Sequence, residues 1–132
     1  MWGQLRKRKE RGQTFVEFAL ALPVLIVLLF GIIQFGIAFH SYITLTDATR
    51  AGARKAAVSR LVPAAERTSA VTQAVRDSAQ NLDQSQLTPS VSSTWVRGGE
   101  VTVSATYPYE IKLFGIPVKN GLLTSTTKER VE

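Results

Sequence analysis

Residues 11–36 read RGQTFVEFALALPVLIVLLFGIIQFG, and the organisation of the 132-residue chain turns on this stretch. From residue 18 to residue 46 there is no Asp, Glu, Lys or Arg, and most positions are Leu, Ile, Val, Phe, Ala or Gly. About 20 apolar residues in a helix cross a hydrocarbon core of about 30 Å, so the run is long enough for a transmembrane helix. It also exceeds the roughly 7–15 apolar residues of a secretory signal. Pro23 falls inside the run and predicts a helix kink of the kind membrane helices tolerate. Gly31 and Gly36 are not spaced as a GxxxG pair, although Gly36 near Ala38 offers a small surface for close helix approach.

The formal net charge is +6, but it is unevenly placed. Arg6, Lys7, Arg8, Lys9 and Arg11 stand against Glu10 alone, directly before the apolar run. Such a cluster is a topology signal: it stays in the cytoplasm while the other end of the helix is translocated. Nucleic-acid binding would want basic residues on a folded surface with aromatics or a reading element, and neither is present. There is no cysteine, which excludes disulfides and thiolate metal sites. A single histidine, His40, argues against a His-based metal centre.

Beyond the apolar run the helical character continues over residues 41–62, SYITLTDATRAGARKAAVSRLV. Ile43, Ala51, Val58 and Leu61 are the candidate apolar face, and Pro63 is expected to end the helix. A continuous helix over residues 14–62 would be about 70 Å long at about 1.5 Å per residue. A second helix is expected over residues 64–82, with Val71, Val75, Ala79 and Leu82 as a stripe at steps of three and four. Residues 81–89 read as a polar loop. Residues 91–97 and 100–107 alternate about Gly98-Gly99, which predicts a hairpin with a two-residue turn. Pro108, Gly115 and Pro117 predict a loop carrying the apolar residues Ile111, Leu113, Phe114, Ile116 and Val118. A Thr-rich last strand follows at residues 121–130. The expected class is α+β: a long N-terminal transmembrane and amphipathic helix, a short second helix, and a small antiparallel sheet of about three strands.

One acidic residue, Glu17, sits at the edge of the apolar run. A carboxylate there costs a few kcal/mol on insertion scales (about 2.5–3.5 at the centre of the span), so its default reading is functional. Its plainer role is helix capping near the headgroups: Thr14 and Glu17 have the spacing of a capping box. The two roles can coexist.

A basic leader, Gly12, four intervening residues and then Glu17 at the start of an apolar helix form the pattern of type IV prepilins. The opening RGQTFVEFALALPVLIVLLFGIIQFG, with a proline six residues after the glutamate, resembles the TadE-like minor pilins (pseudopilins) of Tad/Flp systems. The stretch 48–54, Ala-Thr-Arg-Ala-Gly-Ala-Arg, is similar to that family's Ala-rich A-x-R-x-G-A-R segment. The resemblance covers roughly residues 11–58. It implies cleavage between Gly12 and Gln13 by a prepilin peptidase, leaving Glu17 as the fifth residue of the mature chain. A free α-amine on Gln13 (pKa about 8) is a natural partner for a carboxylate. In pilins the glutamate registers a subunit through a neighbour's N-terminal amine. Phe18 stands where the shorter main Flp pilin carries Tyr, which favours a minor pilin.

The organisation this implies is a cytoplasmic leader at 1–12, a transmembrane helix at 13–40, its continuation outside the membrane at 41–62, and a small exported α+β domain at 63–132. The location would be the bacterial inner membrane, single-pass, with the N-terminus cytoplasmic. The partners would be the membrane, a prepilin peptidase, other minor pilins, the major Flp pilin, and indirectly the assembly platform and its ATPase.

Arg50 and Arg54 share a helix face and are candidate subunit contacts, although such pairs are more often a solvated surface. His40 reads as an interfacial polar residue and Tyr42 as an interfacial aromatic. No Gly-rich phosphate loop, G-x-S-x-G motif or close acidic pair is present, so no catalytic residue, metal, cofactor or small-molecule substrate is expected. The rival reading is a signal-anchored binding or adaptor module that never enters a filament. It accounts for the anchor and the domain, but leaves the glycine–glutamate spacing unexplained.

Overall fold

The computed structural model describes the backbone from Trp2 to Glu132 and the side chains from Gly12 onward. The basic side chains of the leader, and Trp2 with them, lie outside the described residues. The elements run α1 (Trp2–Ala57), a 3-10 turn (Ser59–Leu61), α2 (Ala64–Ser78), β1 (Thr88–Ser93), β2 (Glu100–Leu113) and β3 (Ile116–Arg130). The sheet is antiparallel in the order β1-β2-β3. A long apolar N-terminal helix, a short second helix and a three-stranded antiparallel sheet are thus as the sequence suggests.

The first helix begins at Trp2, so Thr14 lies inside it and is not an N-cap. Lys, Arg, Glu and Gln are good helix formers, and the leader has no proline, so its Gly3 and Gly12 weaken the helix without breaking it. Pro23 lies within the helix. At the other end the α-helix stops at Ala57, earlier than residue 62. Proline disfavours the α region in the residue before it, and Val62 is extended at φ −77°, ψ 145°. The Ala57 carbonyl, left without a helical donor, accepts the backbone N–H of Glu132 at 3.1 Å.

The packing face of α1 is not the one its bulky residues suggest. Ile43, Val58 and Leu61 are exposed, Leu61 at 86%, while Leu45, Ala48, Thr49, Ala53 and Ala56 are fully buried. The buried stripe is made of small residues because the helix comes very close to its neighbours. A Cβ at Gly52 would stand 2.5 Å from Val75 Cγ2 and 3.1 Å from Val103 Cγ1. Val71, Val75, Ala79 and Leu82 are all buried against this face as expected, although α2 ends at Ser78 and the last two sit in the turn beyond it. Val101, Val103 and Ala105 of β2 complete the core, with Leu87 and Val131. The alternate residues Thr102, Ser104 and Thr106 face the other way, giving a sheet with one packed and one wetter side.

The strands depart from expectation in three places. β1 starts at Thr88 and ends at Ser93, passing through Pro89, which an edge strand permits. The connection to β2 spans residues 94–99 instead of a Gly-Gly turn, with Trp95 at φ 54° and Gly98 at φ 80°. Trp95 turns onto the core and under the Arg67 guanidinium, 5.8 Å from the ring centroid. Third, residues 108–118 are not a loop: β2 and β3 continue through them as a long two-stranded ribbon. Pro108 lies beyond Thr106, the last residue of β2 paired with β1, so one edge there has no ladder to break. Pro117 pairs with Lys112 at a register shift, where proline is again tolerated.

The ribbon closes on a two-residue turn, Phe114-Gly115, between the paired Leu113 and Ile116. Both turn residues have positive φ, 51° and 82°, as a type I′ hairpin turn requires. Asn or Gly is the usual first residue; a Phe in this left-handed region costs on the order of 1–2 kcal/mol. The ribbon runs back along α1, so that Phe114 meets Phe30 with ring centroids 5.2 Å apart. Along the same side of the helix Ile26, Gln34, Ala38, Ser41 and Thr44 are partly buried, leading up to the fully buried Leu45.

Candidate processing and assembly site

The sequence-derived site lies along α1. Gly12, Gln13, Glu17 and Phe18 occupy successive turns near the start of the apolar segment, and all four are exposed. Gln13 Nε2 donates to Glu17 Oε1 at 3.1 Å, an i,i+4 contact that places the residue after Gly12 beside the acidic side chain. The structure therefore brings the expected junction and the expected acid onto one helix face. No atom lies within 4 Å of a Cβ built at Gly12. Among the described residues that glycine fills no steric role.

Above the acid, the helix carries a continuous apolar coat. It is long and apolar enough to cross a membrane, and its most apolar window is not buried in the protein. Phe15, Phe18, Leu20, Val24, Ile32 and Phe35 are each at least 60% exposed. So large an apolar surface on a chain this size demands lipid or other protein around it.

Arg50 and Arg54 lie on the exposed side of α1, opposite the stripe that packs the domain. Arg50 Nη1 is 3.7 Å from Asp47 Oδ1, both well exposed, a weak surface pair. The stretch 48–54 thus splits into two functions: Ala48, Gly52 and Ala53 pack, and the two arginines face out. His40 and Tyr42 are exposed at the far end of the apolar run.

Two features escaped the reading of residue patterns. One is a hydroxyl cluster between α1 and β3. Thr49 Oγ1 lies 3.2 Å from Ser125 Oγ and 3.0 Å from Thr127 Oγ1, and Ser125 Oγ donates to Thr46 Oγ1 at 3.3 Å. Thr and Ser in a helix and in a Thr-rich strand carry no signal that they will meet. The other is the apolar end of the β2–β3 ribbon, hidden by its prolines. Among the described residues no group of three or more His, Cys, Asp or Glu is placed to hold a metal ion.

The arrangement defines a class: a small α+β domain built on one half of a long helix whose other half is a largely exposed apolar rod. Residues 12–54, about a third of the chain, match the family model described as TadE-like protein. The match lies wholly on α1. It begins at the glycine of the expected junction and ends at the second arginine. Neither a curated protein nor a solved structure gives a significant match to the chain.

Proposed function

We propose that this protein is a minor pilin, or pseudopilin, of a Tad/Flp-type pilus used in adhesion, helping to initiate or assemble the filament. The observation that carries the reading is Gly12 and Glu17 at the foot of an apolar helix whose most apolar stretch the protein leaves unburied. The TadE-like match over the same helix supports it.

The basic leader stays in the cytoplasm and the α+β domain is exported across the inner membrane. A prepilin peptidase cuts after Gly12, freeing the Gln13 amine at the membrane edge. The single-pass subunit then waits in the bilayer. The assembly platform, driven by its ATPase, moves it into a bundle with other minor pilins and the major Flp pilin. There Glu17 faces the N-terminal amine of a neighbour, an ion pair in a setting poor in water. Once out of the lipid, the apolar coat is covered by neighbouring helices, and its burial holds the bundle together. Arg50 and Arg54 face outward to meet acidic groups on adjacent subunits.

Incorporation tests this reading against an anchored module that stays out of filaments. Wild-type protein is expected in the sheared pilus fraction, or cross-linked to other pilins in membranes. Glu17→Gln and Glu17→Ala should lose that signal while remaining inserted and processed. A protein that never cross-links to a pilin, with or without Glu17, is an anchored module instead.

A further inference from the structure

The geometry points to a second, shallow membrane contact: the tip of the β2–β3 ribbon is seated in the bilayer leaflet on the domain's side while the subunit waits in the membrane. This rests on α1 crossing the membrane, and not on the filament role.

The depth of the tip follows from its contact with the helix. Phe114 at the turn meets Phe30, whose ring is 5.2 Å away. The uncharged stretch runs over residues 18–46, and a span of about 20 residues must lie within it. Placed as far from the domain as it will go, that span ends at Ile37. Phe30 is then still seven residues, about 10 Å, inside the hydrocarbon. Moving the span toward the domain would carry Phe30 to the midplane and the charged part of the ribbon into hydrocarbon, so the placement ending near Ile37 is the one that suits the ribbon. The ribbon shares that depth because it lies along the same helix.

The composition of the tip matches the position. Phe114, Ile116 and Val118 are 63–68% exposed, and Leu113 is partly covered. A turn that ordinarily takes Asn-Gly carries Phe-Gly, so an apolar side chain is held at the apex against local preference. Lys112 is two residues before the turn and Lys119 four residues after it, so the lysines stand on the second and third paired rungs above the apex. With the tip in the leaflet, their stems would run along the acyl chains and their ammonium groups would sit at the level of the lipid phosphates. Lys112 Nζ is shared with Glu110 at 2.9 Å, two residues further from the tip. Open ribbon edges are costly in hydrocarbon, which confines insertion to the turn below the lysines. The occupant is lipid, because the same helix that fixes the depth places lipid around it.

The test uses the full-length protein in vesicles of phosphatidylethanolamine and phosphatidylglycerol. The chain has no cysteine, so single nitroxide labels can be placed at will. Phe114→Cys and Ile116→Cys report the tip, Ile33→Cys the span, and Gln80→Cys the water-facing surface. Collision with oxygen over collision with a water-soluble nickel complex should be high at 33, low at 80, and high at both tip positions. Either tip label is sufficient if the other variant does not fold. Tip ratios as low as at 80, with 33 still high, overturn the proposal and leave the transmembrane helix standing. Tip labels shielded from both reagents mean a protein partner and also overturn it. A low ratio at 33 shows that the helix does not span, and the proposal falls with that reading.

Discussion

Gly52 and Val75 are in contact across the α1–α2 interface so closely that a methyl group on Gly52 would stand 2.5 Å from Val75 Cγ2. The glycine is therefore a packing residue, and it brings the helix backbone onto both α2 and the sheet. Gly52→Ala gains helix propensity of about 1 kcal/mol but overpacks the core by about 1–3 kcal/mol. The expected net result is a loss of stability, larger for Gly52→Val, seen as a lower urea midpoint for the domain in detergent. An unchanged or raised midpoint for Gly52→Val would show that the interface is looser than this.

The hydroxyls of Thr49, Ser125 and Thr127 meet between α1 and β3, and their hydrogen bonds run through Thr46 as well. Thr49 is fully buried, and its Oγ1 also donates to the Thr46 carbonyl at 2.9 Å. Thr49→Val keeps the shape and removes the central partner, at a cost of about 1–3 kcal/mol. Thr49→Ser should retain the hydrogen bonds. Denaturant titration of the three proteins should rank Thr49→Ser closer to wild type than Thr49→Val.

Arg50→Glu and Arg54→Glu should leave stability within about 0.5 kcal/mol, since both side chains are exposed and the Asp47 contact is a surface pair. If the arginines meet neighbouring subunits, these variants fold normally yet cross-link less to other pilins. Folding and incorporation are measured side by side. Normal incorporation of both would assign the arginines to a solvated face.

Asp83 caps the turn after α2: its carboxylate accepts from the Ser85 hydroxyl at 2.6 Å and from the Ser85 backbone N–H at 3.0 Å. These bonds hold its pKa below the ordinary aspartate value. A depressed folded-state pKa stabilises above the unfolded value and loses that contribution as pH falls through the folded one. Carbon-detected NMR of the carboxyl should therefore find Asp83 ionised into more acid solution than an unstructured aspartate. Ser85→Ala should return it toward the ordinary value.

Much of the architecture was legible because it rests on strong patterns. The uncharged run set the long helix, the Val71–Val75–Ala79–Leu82 spacing set the face of α2, and alternation set the strands. Failures came where small or neutral residues do the packing. Bulky Ile43, Val58 and Leu61 suggested a face that the structure leaves exposed, because Ala48, Gly52 and Ala56 allow a closer approach on the other side. The prolines at 108 and 117 suggested a loop, yet each falls where a strand can spare a donor. Of the candidate site, the placement of Gly12 and Glu17 was readable from spacing alone. Their proximity through Gln13 needed the helix to continue unbroken below Thr14.

The most direct measurement is the intact mass and N-terminal sequence of the protein purified from membranes of cells with an active prepilin peptidase, with and without Gly12→Ala. No side chain among the described residues crowds Gly12, and alanine suits a helix, so this variant tests processing and not folding. The account predicts a mature chain beginning at Gln13, and an unprocessed chain for Gly12→Ala. A wild-type chain that still begins at Met1 would contradict it.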